Sequence, residues 1–501
     1  MADEGMERFL ADDAATARLG EDLAMALRPG DVFALQGDLG AGKSTLARAL
    51  IRALADDSAL DVPSPTFTLV QSYETRVPIH HLDLYRLGSA AELDELGLDD
   101  ALAEGAALVE WPQRAASRLQ PTLTVELVHK GDGRLAVMSG GIAFDRVKRS
   151  LAMRDFLGSA GWGEALRRHL TGDASARSYE MVSLEGEAPR VLMNSPPLVL
   201  GPPVRGGRPY AEIAHTAQTV GAFVAIDRAL LEGGVSVPEI YARDLDAGFL
   251  LLENLGSGNF LDEAGSPVAE RYAAAAELLA AMHGRRWPDA MEAAPGVVHH
   301  VPPFDHDAMM IEASLLLDWY VPAVTGDAAS ERLRGDFERE WQGLFDRLAD
   351  AEYTLMLRDF HSPNIIWRGV RRGHDRLGIV DFQDALIGPA AYDVASLAMD
   401  ARVTVPMEIE QSTLDAYEAA RRAAGAFDEG AFRESYAIMA AQRNSKILGI
   451  FVRLDRRDGK PAYLRHLPRI RDYLRRALGH PSLAGLNRLY AENGILEERA
   501  L

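Results

Sequence analysis

Nine residues constrain the N-terminal part of this chain more than any others. Gly37-Asp38-Leu39-Gly40-Ala41-Gly42-Lys43-Ser44-Thr45 has the spacing of a phosphate-binding loop. Its setting agrees: Val32-Phe33-Ala34-Leu35 before it reads as a short buried strand. Leu46, Leu50, Ile51 and Leu54 after it recur on one face of a helix. Gly37, Gly40 and Gly42 let the backbone curl so that successive N–H groups face phosphate oxygens. Lys43 reaches the β/γ-phosphates, and the hydroxyls of Ser44 and Thr45 open the helix, with Ser44 placed to ligate Mg²⁺. The expectation is an α/β domain that binds a nucleoside triphosphate.

At 501 residues the chain is too long for one core, and two or three domains are expected. A formal charge of −21 argues against a broad basic surface that grips nucleic acid unaided, so any nucleic acid it serves is expected to be held by a partner. The absence of cysteine excludes disulfides, zinc–thiolate sites and thiol catalysis. No basic-then-apolar leader and no apolar run of membrane-spanning length stands out, so a cytoplasmic protein without membrane association is expected.

Beyond the loop, Pro63-Ser64-Pro65-Thr66-Phe67-Thr68 is stiffened by its prolines and is a candidate switch near a γ-phosphate. Ile79 to Arg86 reads as a strand that ends at Asp83, followed by an acidic helical stretch from Ala90 to Leu102. Ala106 to Val109 reads as a strand that ends at Glu110-Trp111-Pro112. Carboxylates at the ends of neighbouring parallel strands sit where open α/β sheets bind ligands, so either acid is suited to hold Mg²⁺ or to orient an attacking water. Thr122 to Val128 and Arg134 to Met138 alternate around Gly131-Asp132-Gly133 as a hairpin. The phosphate loop, Ser64-Pro65-Thr66-Phe67, His81-Leu82-Asp83-Leu84-Tyr85-Arg86 and Val109-Glu110-Trp111-Pro112, in this order, resemble the bacterial TsaE ATPases. That family acts with TsaB and TsaD in making N6-threonylcarbamoyladenosine in tRNA. The resemblance implies that Lys43 and Ser44 bind phosphate and Mg²⁺, Asp83 helps hold the metal, Glu110 serves hydrolysis and Thr66 belongs to the switch loop.

Ser139-Gly140-Gly141 marks a flexible point, and the helical run from Arg149 opens a second domain. Its chemistry lies in Leu357-Arg358-Asp359-Phe360-His361-Ser362-Pro363-Asn364 and Ile379-Val380-Asp381-Phe382-Gln383-Asp384. An Asp, an Asn five residues on, and an Asp that ends a later apolar strand form the kinase constellation. Asp359 takes the proton of an acceptor hydroxyl, and Asn364 and Asp381 offer hard oxygens to the Mg²⁺ of ATP. Upstream, Ala174-Ser175-Ala176-Arg177-Ser178-Tyr179, with the flanking strands Met181 to Leu184 and Arg190 to Met193, reads as a cover over the nucleotide. Leu250 to Gly256, with Glu253 and Leu255, reads as a hinge whose backbone pairs with adenine. No lysine occurs between Lys148 and Lys446, so the usual third-strand lysine is missing. Either an arginine such as Arg177 or Arg190 replaces it or that contact is absent. His299, His300 and His306 read as loop residues, and Trp341 as core.

This second domain resembles the aminoglycoside phosphotransferase-like kinases. Within them Gln442-Arg443-Asn444, Lys446, Gly449-Ile450-Phe451, Arg453-Leu454 and Asp458-Gly459-Lys460 are similar to the AmgK group, kinases of the anomeric hydroxyl of N-acetylmuramate and N-acetylglucosamine in cell-wall recycling. One departure is plain: Leu357-Arg358-Asp359 stands where the superfamily has His-Gly-Asp. The fold class expected is therefore an α/β P-loop NTPase domain over residues 1–145, followed by an α+β bilobal protein-kinase-like domain over 150–501. Both use ATP and Mg²⁺, and the second takes an amino sugar. The alternatives are a pseudokinase that regulates the ATPase, or a kinase of another small-molecule hydroxyl. The exact acceptor, any coupling of the two activities, the lysine's replacement and the oligomeric state are not legible in sequence.

Overall fold

A computed structural model describes residues 5–90, 92–95, 97–170 and 177–498. Ala174-Ser175-Ala176, at the start of the expected nucleotide cover, lie outside the described residues. The chain forms two compact units: Met1–Asn194 with Tyr241–Asp244 and Phe249–Glu253, and the remainder.

The first unit contains β1 (Met6–Leu10), α1 (Asp13–Ala26), β2 (Val32–Gln36), α2 (Lys43–Ala55), β3 (Val70–Tyr73), β4 (Ile79–Asp83), α3 (Glu92–Glu95), α4 (Leu98–Glu104), β5 (Ala106–Glu110), β6 (Leu123–Lys130), β7 (Gly133–Ser139) and α5 (Phe144–Ser159). Its seven strands lie in the order β1-β7-β6-β2-β5-β4-β3. Central β2 runs parallel to β5 and β6, and β5 parallel to β4. Such strands are covered on both faces, which is why Val32-Phe33-Ala34-Leu35 is a continuous apolar run. Phe33 and Leu35 pack with Leu46, Leu50, Ile51 and Leu54 of α2 and with α1 on one face. Val32 packs with Leu82, Ala107 and Val109 on the other. The acidic stretch expected as one helix from Ala90 is instead two short helices, α3 and α4, parted at Gly97, whose φ of +66° is left-handed.

A second, five-stranded sheet belongs to the same unit: β8 (Leu166–Leu170), β9 (Ser178–Ser183), β10 (Arg190–Asn194), then Phe249–Glu253 and Ile240–Asp244. The helix expected to open a new domain, α5, packs on α1 instead. Arg167 of β8 is fully buried and bridges Glu180 of β9 (2.6 Å) to Asp22 of α1 (2.7 Å), while donating to the Ser150 carbonyl of α5 (2.9 Å). Arg154 of α5 also donates to Asp22, at 2.9 Å. Breaking a buried pair of this kind costs about 3–5 kcal/mol, so these charges tie the two sheets firmly. Nor is the Ser139–Gly141 turn a slack hinge. Gly141 has φ +76°, a Cβ there would collide with the Thr122 carbonyl, and Ala143 N donates to that same carbonyl at 3.0 Å. By compactness the first unit runs on to Asn194.

The second unit is mainly helical, built on the 28-residue helix Glu429–Arg456, whose residues from Ser435 to Gly449 are all buried. Two short antiparallel ladders position its loops. Tyr353–Met356 pairs with Leu386–Pro389, and Ile365–Trp367 pairs with Leu377–Ile379. The loop with Asp359 and Asn364 joins the first strands of the two ladders, and the loop with Asp381 joins the second. The pairing therefore sets the two loops side by side. His299 and His300, expected in a loop, lie in the strand Val297–His300, and His306 opens the helix His306–Leu315. Among the described residues no helix is long and apolar enough to cross a membrane.

Candidate active sites

In the first unit the strand ends and the phosphate loop converge. Gly37 has φ +135°, and a Cβ there would collide with the Leu127 carbonyl of β6, so the loop's first turn requires glycine. Gly42, at φ +104°, starts α2, and Ala41 N donates to Asp38 O at 3.1 Å. The Lys43 ammonium donates to the carbonyls of Gly37 (2.8 Å) and Asp38 (2.9 Å) and stands 4.0 Å from the Trp111 ring centroid. Burial lowers its pKa, against the opposing fields of Glu110, Asp83 and Asp38. Ser44 Oγ donates to Glu110 Oε2 at 3.2 Å, and Glu110 Oε1 lies 3.1 Å from His81 Nε2. Asp83 Oδ2 accepts from Thr66 (2.8 Å) and Ser64 (3.1 Å). Asp83 pairs in register with Glu110, which puts both carboxylates at one sheet edge beside the loop.

Sequence reasoning assigned no role to His81 or Trp111. His81 shares a face of β4 with Asp83, two residues on, so the strand period alone would have found it. Trp111 has φ +59°, an uncommon backbone for a bulky side chain, and it continues from β5 directly under Lys43. That signal is invisible in sequence.

In the second unit Asn364 Nδ2 donates to the Asp359 carbonyl at 3.0 Å and lies 3.5 Å from Asp381 Oδ2. Gln383 Nε2 donates to Asp381 Oδ1 (3.0 Å) and to Asp384 (3.2 Å), and Asp384 accepts from Ala217 N at 2.7 Å. Phe382 stacks on Phe223 of the helix Val220–Glu232, ring centroids 4.7 Å apart. The fully buried Asp393 accepts from the backbone N–H of Leu357 (2.6 Å) and Arg358 (2.8 Å), so it holds the catalytic-loop backbone.

Beneath this loop lies a charged cluster that sequence reasoning missed. Arg358 occupies the position of the superfamily's glycine and has φ +70°, a conformation that costs a non-glycine residue about 1–2 kcal/mol. Its guanidinium pairs with Glu312, which is fully buried and also binds Lys446 Nζ (2.7 Å) and Gln442 Nε2 (3.2 Å). Burial would raise the Glu312 pKa, but Arg358 and Lys446 hold it down to about 2. Burial would likewise raise Asp359, yet Lys446, His361, Arg358 and Arg443 keep its carboxylate below the usual range. Asp359 is thus held in its ionised form. Glu312 lies 46 positions before Arg358, on another helix, and no local pattern marks it.

The expected nucleotide-cover residues lie on the second sheet of the first unit. Tyr179 sits in β9 opposite Met193 of β10, Arg177 immediately precedes β9, and Glu253 closes its strand opposite Arg190. Leu255 follows, nearly buried. The guanidinium carbon of Arg190 lies 4.3 Å from the Trp162 ring centroid and 3.7 Å from that of Tyr241. Cation–π contact with two rings fixes where that charge sits.

The oxygen donors at both centres are the hard ligands that Mg²⁺ takes: Ser44, Asp83 and Glu110 in one, Asn364 and Asp381 in the other. Among the described residues no group of three or more His, Asp or Glu side chains forms an all-protein cage.

Comparisons with known proteins find two families along the chain. Residues 10–136 match the family model "Threonylcarbamoyl adenosine biosynthesis protein TsaE" and residues 167–429 the "Phosphotransferase enzyme family". An N-acetylmuramate/N-acetylglucosamine kinase of Caulobacter vibrioides is 35% identical over 353 residues, covering 68% of this chain and 95% of that one. A tRNA threonylcarbamoyladenosine biosynthesis protein TsaE of Synechocystis sp. is 43% identical over 122 residues, covering 23% of this chain and 74% of that one. The corresponding protein of Rickettsia felis is 40% identical over 116 residues, covering 23% and 67%. With a family model matched in each part and relatives covered over two thirds or more of their own length, the chain is a fusion that belongs to the TsaE family in its N-terminal part and to the phosphotransferase enzyme family in the rest.

Proposed function

We propose that the chain is bifunctional. Residues 1–145 hydrolyse ATP in support of tRNA N6-threonylcarbamoyladenosine formation, alongside TsaB- and TsaD-type partners. Residues 150–501 form a kinase of the bilobal, protein-kinase-like class. It transfers phosphate from ATP to the anomeric hydroxyl of N-acetylmuramate or N-acetylglucosamine. The observation that carries the reading is that each half holds its own set of phosphate- and metal-suited side chains: Lys43, Ser44, Asp83 and Glu110 in one, Asp359, Asn364 and Asp381 in the other.

In the kinase, Asp359 accepts the proton of the sugar's anomeric hydroxyl as that oxygen bonds to the γ-phosphorus. The bond from phosphorus to the β,γ-bridging oxygen breaks and ADP leaves. Asn364 fixes the backbone that carries Asp359 while it faces Asp381, so base and metal ligands move as one body. Asn364 and Asp381 would hold Mg²⁺, which would supply charge neutralisation on the transferring phosphate. Arg358 and Lys446 keep Asp359 ionised and thus competent as a base. In the ATPase, Ser44 and Asp83 suit the metal. Glu110, oriented by His81, suits the attacking water.

The test is product analysis with the full chain: incubation with MgATP and N-acetylmuramate, read by phosphorus NMR, should place one new phosphate on the anomeric oxygen. For the first part, ATP should strengthen capture by a TsaB–TsaD complex, while bare tRNA binds weakly. Strong, salt-sensitive tRNA binding without affinity for those proteins refutes that half.

A further inference from the structure

The helix Glu429–Arg456 carries more than the cation that holds Glu312. Lys446 and Arg453 are seven residues apart, two turns or about 10 Å along one face. Arg443 lies one turn before Lys446 on that face and bears on the Asp359 carboxylate. These cations are employed differently. Lys446 is neutralised by Glu312 at 2.7 Å, and Arg443 donates to the Met399 carbonyl at 3.3 Å. At the helix end Arg456 pairs with Asp455 (3.4 Å) and Arg457 with Asp458 (2.8 Å). Arg453 stands apart. Among the described residues it pairs with no carboxylate, and its Nε is buried without a hydrogen-bond partner. Its guanidinium carbon lies 5.2 Å from the ring centroid of Tyr210. Tyr210 in turn lies within the electrostatic reach of Glu312 and Arg358, the residue beside the base. A guanidinium two turns along the same helix face from Lys446, largely desolvated and with an unspent donor, is suited to an anion.

We propose that Arg453 is the residue that recognises the carboxylate of an acidic acceptor, the lactyl group that distinguishes N-acetylmuramate from N-acetylglucosamine. The inference rests on the amino-sugar reading above and adds to it a division of labour on one helix. Lys446 serves the base through Glu312, and Arg453, two turns on, reads the substituent that the neutral sugar lacks. Tyr210 lies beside the guanidinium and shares a hydrogen bond with it, and the Nε donor remains for the carboxylate. The neutral sugar uses the same reacting groups without that contact.

The experiment uses the full chain with Arg453→Met and Arg453→Lys, N-acetylmuramate, its carboxamide and N-acetylglucosamine as acceptors, and a melting curve for each protein. A charge-assisted, bidentate contact corresponds to about 10- to 100-fold in binding. Arg453→Met should therefore lower the ratio of kcat/KM for N-acetylmuramate over N-acetylglucosamine by that factor, mainly through KM, and Arg453→Lys should restore part of it. The wild-type chain should lose a similar factor on the carboxamide, and Arg453→Met should lose nothing further on it. An unchanged ratio, or equal loss on both sugars in a folded variant, overturns the assignment. If Arg453→Met does not fold, the carboxamide comparison on the wild type decides alone. A wild-type chain that phosphorylates neither sugar overturns the acceptor reading, and this inference with it, by a result distinct from an unchanged ratio.

Discussion

Replacing Glu312 by glutamine tests the charged cluster under the catalytic loop. The carboxylate is fully buried and serves Arg358, Lys446 at 2.7 Å and Gln442 at 3.2 Å. Glutamine keeps the shape but leaves two buried cations facing each other with no anion between them. Breaking a buried pair in this way costs about 3–5 kcal/mol. Arg358 also loses the contact that offsets its left-handed backbone, worth roughly 1–2 kcal/mol. At about 2 °C per kcal/mol for a unit of this size, the melting temperature of the kinase unit should fall by about 6–10 °C. Lys446→Met in the same chain removes one of the stranded cations, so the double variant should melt above Glu312→Gln alone. The pH dependence has a definite sign. Glu312 titrates at about 2 in the folded chain against 4.5 for the free group, so its contribution is present above pH 4.5 and lost as pH falls toward 2. The wild type should lose stability over that window, and Glu312→Gln should lose less. Differential scanning calorimetry from pH 2.5 to 7 reads all three. A shift below 2 °C at neutral pH, or a double variant that is simply additive, refutes the cluster as described.

Three further outcomes are expected. Asp227, buried in the helix Val220–Glu232, has its pKa raised by burial to about 8, so its stabilising protonated form is fully present below about pH 4 and lost as pH rises through 8. Asp227→Asn should accordingly raise the melting temperature at pH 8.5 and change it little at pH 4; a gain that is larger at pH 4 contradicts this. Trp111→Ala removes the ring under Lys43 and should weaken ATP binding by the P-loop domain several-fold, in titrations with a fluorescent nucleotide, while sugar phosphorylation is unchanged. Arg167→Met leaves Asp22 and Glu180 without their shared cation and should destabilise the first unit by about 3 kcal/mol or more, read as earlier loss of the P-loop domain's nucleotide binding on heating. Wild-type behaviour in that assay would show the two sheets to be independent.

What the sequence could reveal depended on whether the signal was local. The phosphate loop, β2, β5 and the β6–β7 hairpin each carry their own pattern of glycines, apolar runs or alternation, and the fold places them as read. The Asp359, Asn364 and Asp381 spacing is local too, and the paired ladders around those loops bring it together. The misses share a cause. Arg167, Asp22 and Glu180 come from a helix and two strands far apart in sequence, and no single window shows that their charges meet in a buried cluster. Arg190 carries the charge that a phosphate site wants, but whether aromatic rings already flank it is decided by Trp162 and Tyr241, neither of which adjoins it in the chain. Glu312 and Arg358 likewise explain each other only once the helices are packed.

The central claim, two phosphate chemistries on one chain with separate residues, is tested most directly by a single set of assays on the full chain. ADP formation is measured with and without N-acetylmuramate for wild type, Lys43→Ala, Asp359→Asn and Asp381→Asn, with sugar phosphate measured in parallel. Lys43→Ala should lose the sugar-independent turnover and keep sugar phosphate formation. Asp359→Asn should do the reverse, with turnover down by about 10²–10⁴-fold and ATP affinity nearly unchanged. Asp381→Asn should lose MgATP affinity in the kinase as well. If both Asp variants make sugar phosphate at the wild-type rate, or if Lys43→Ala abolishes it, the account is wrong.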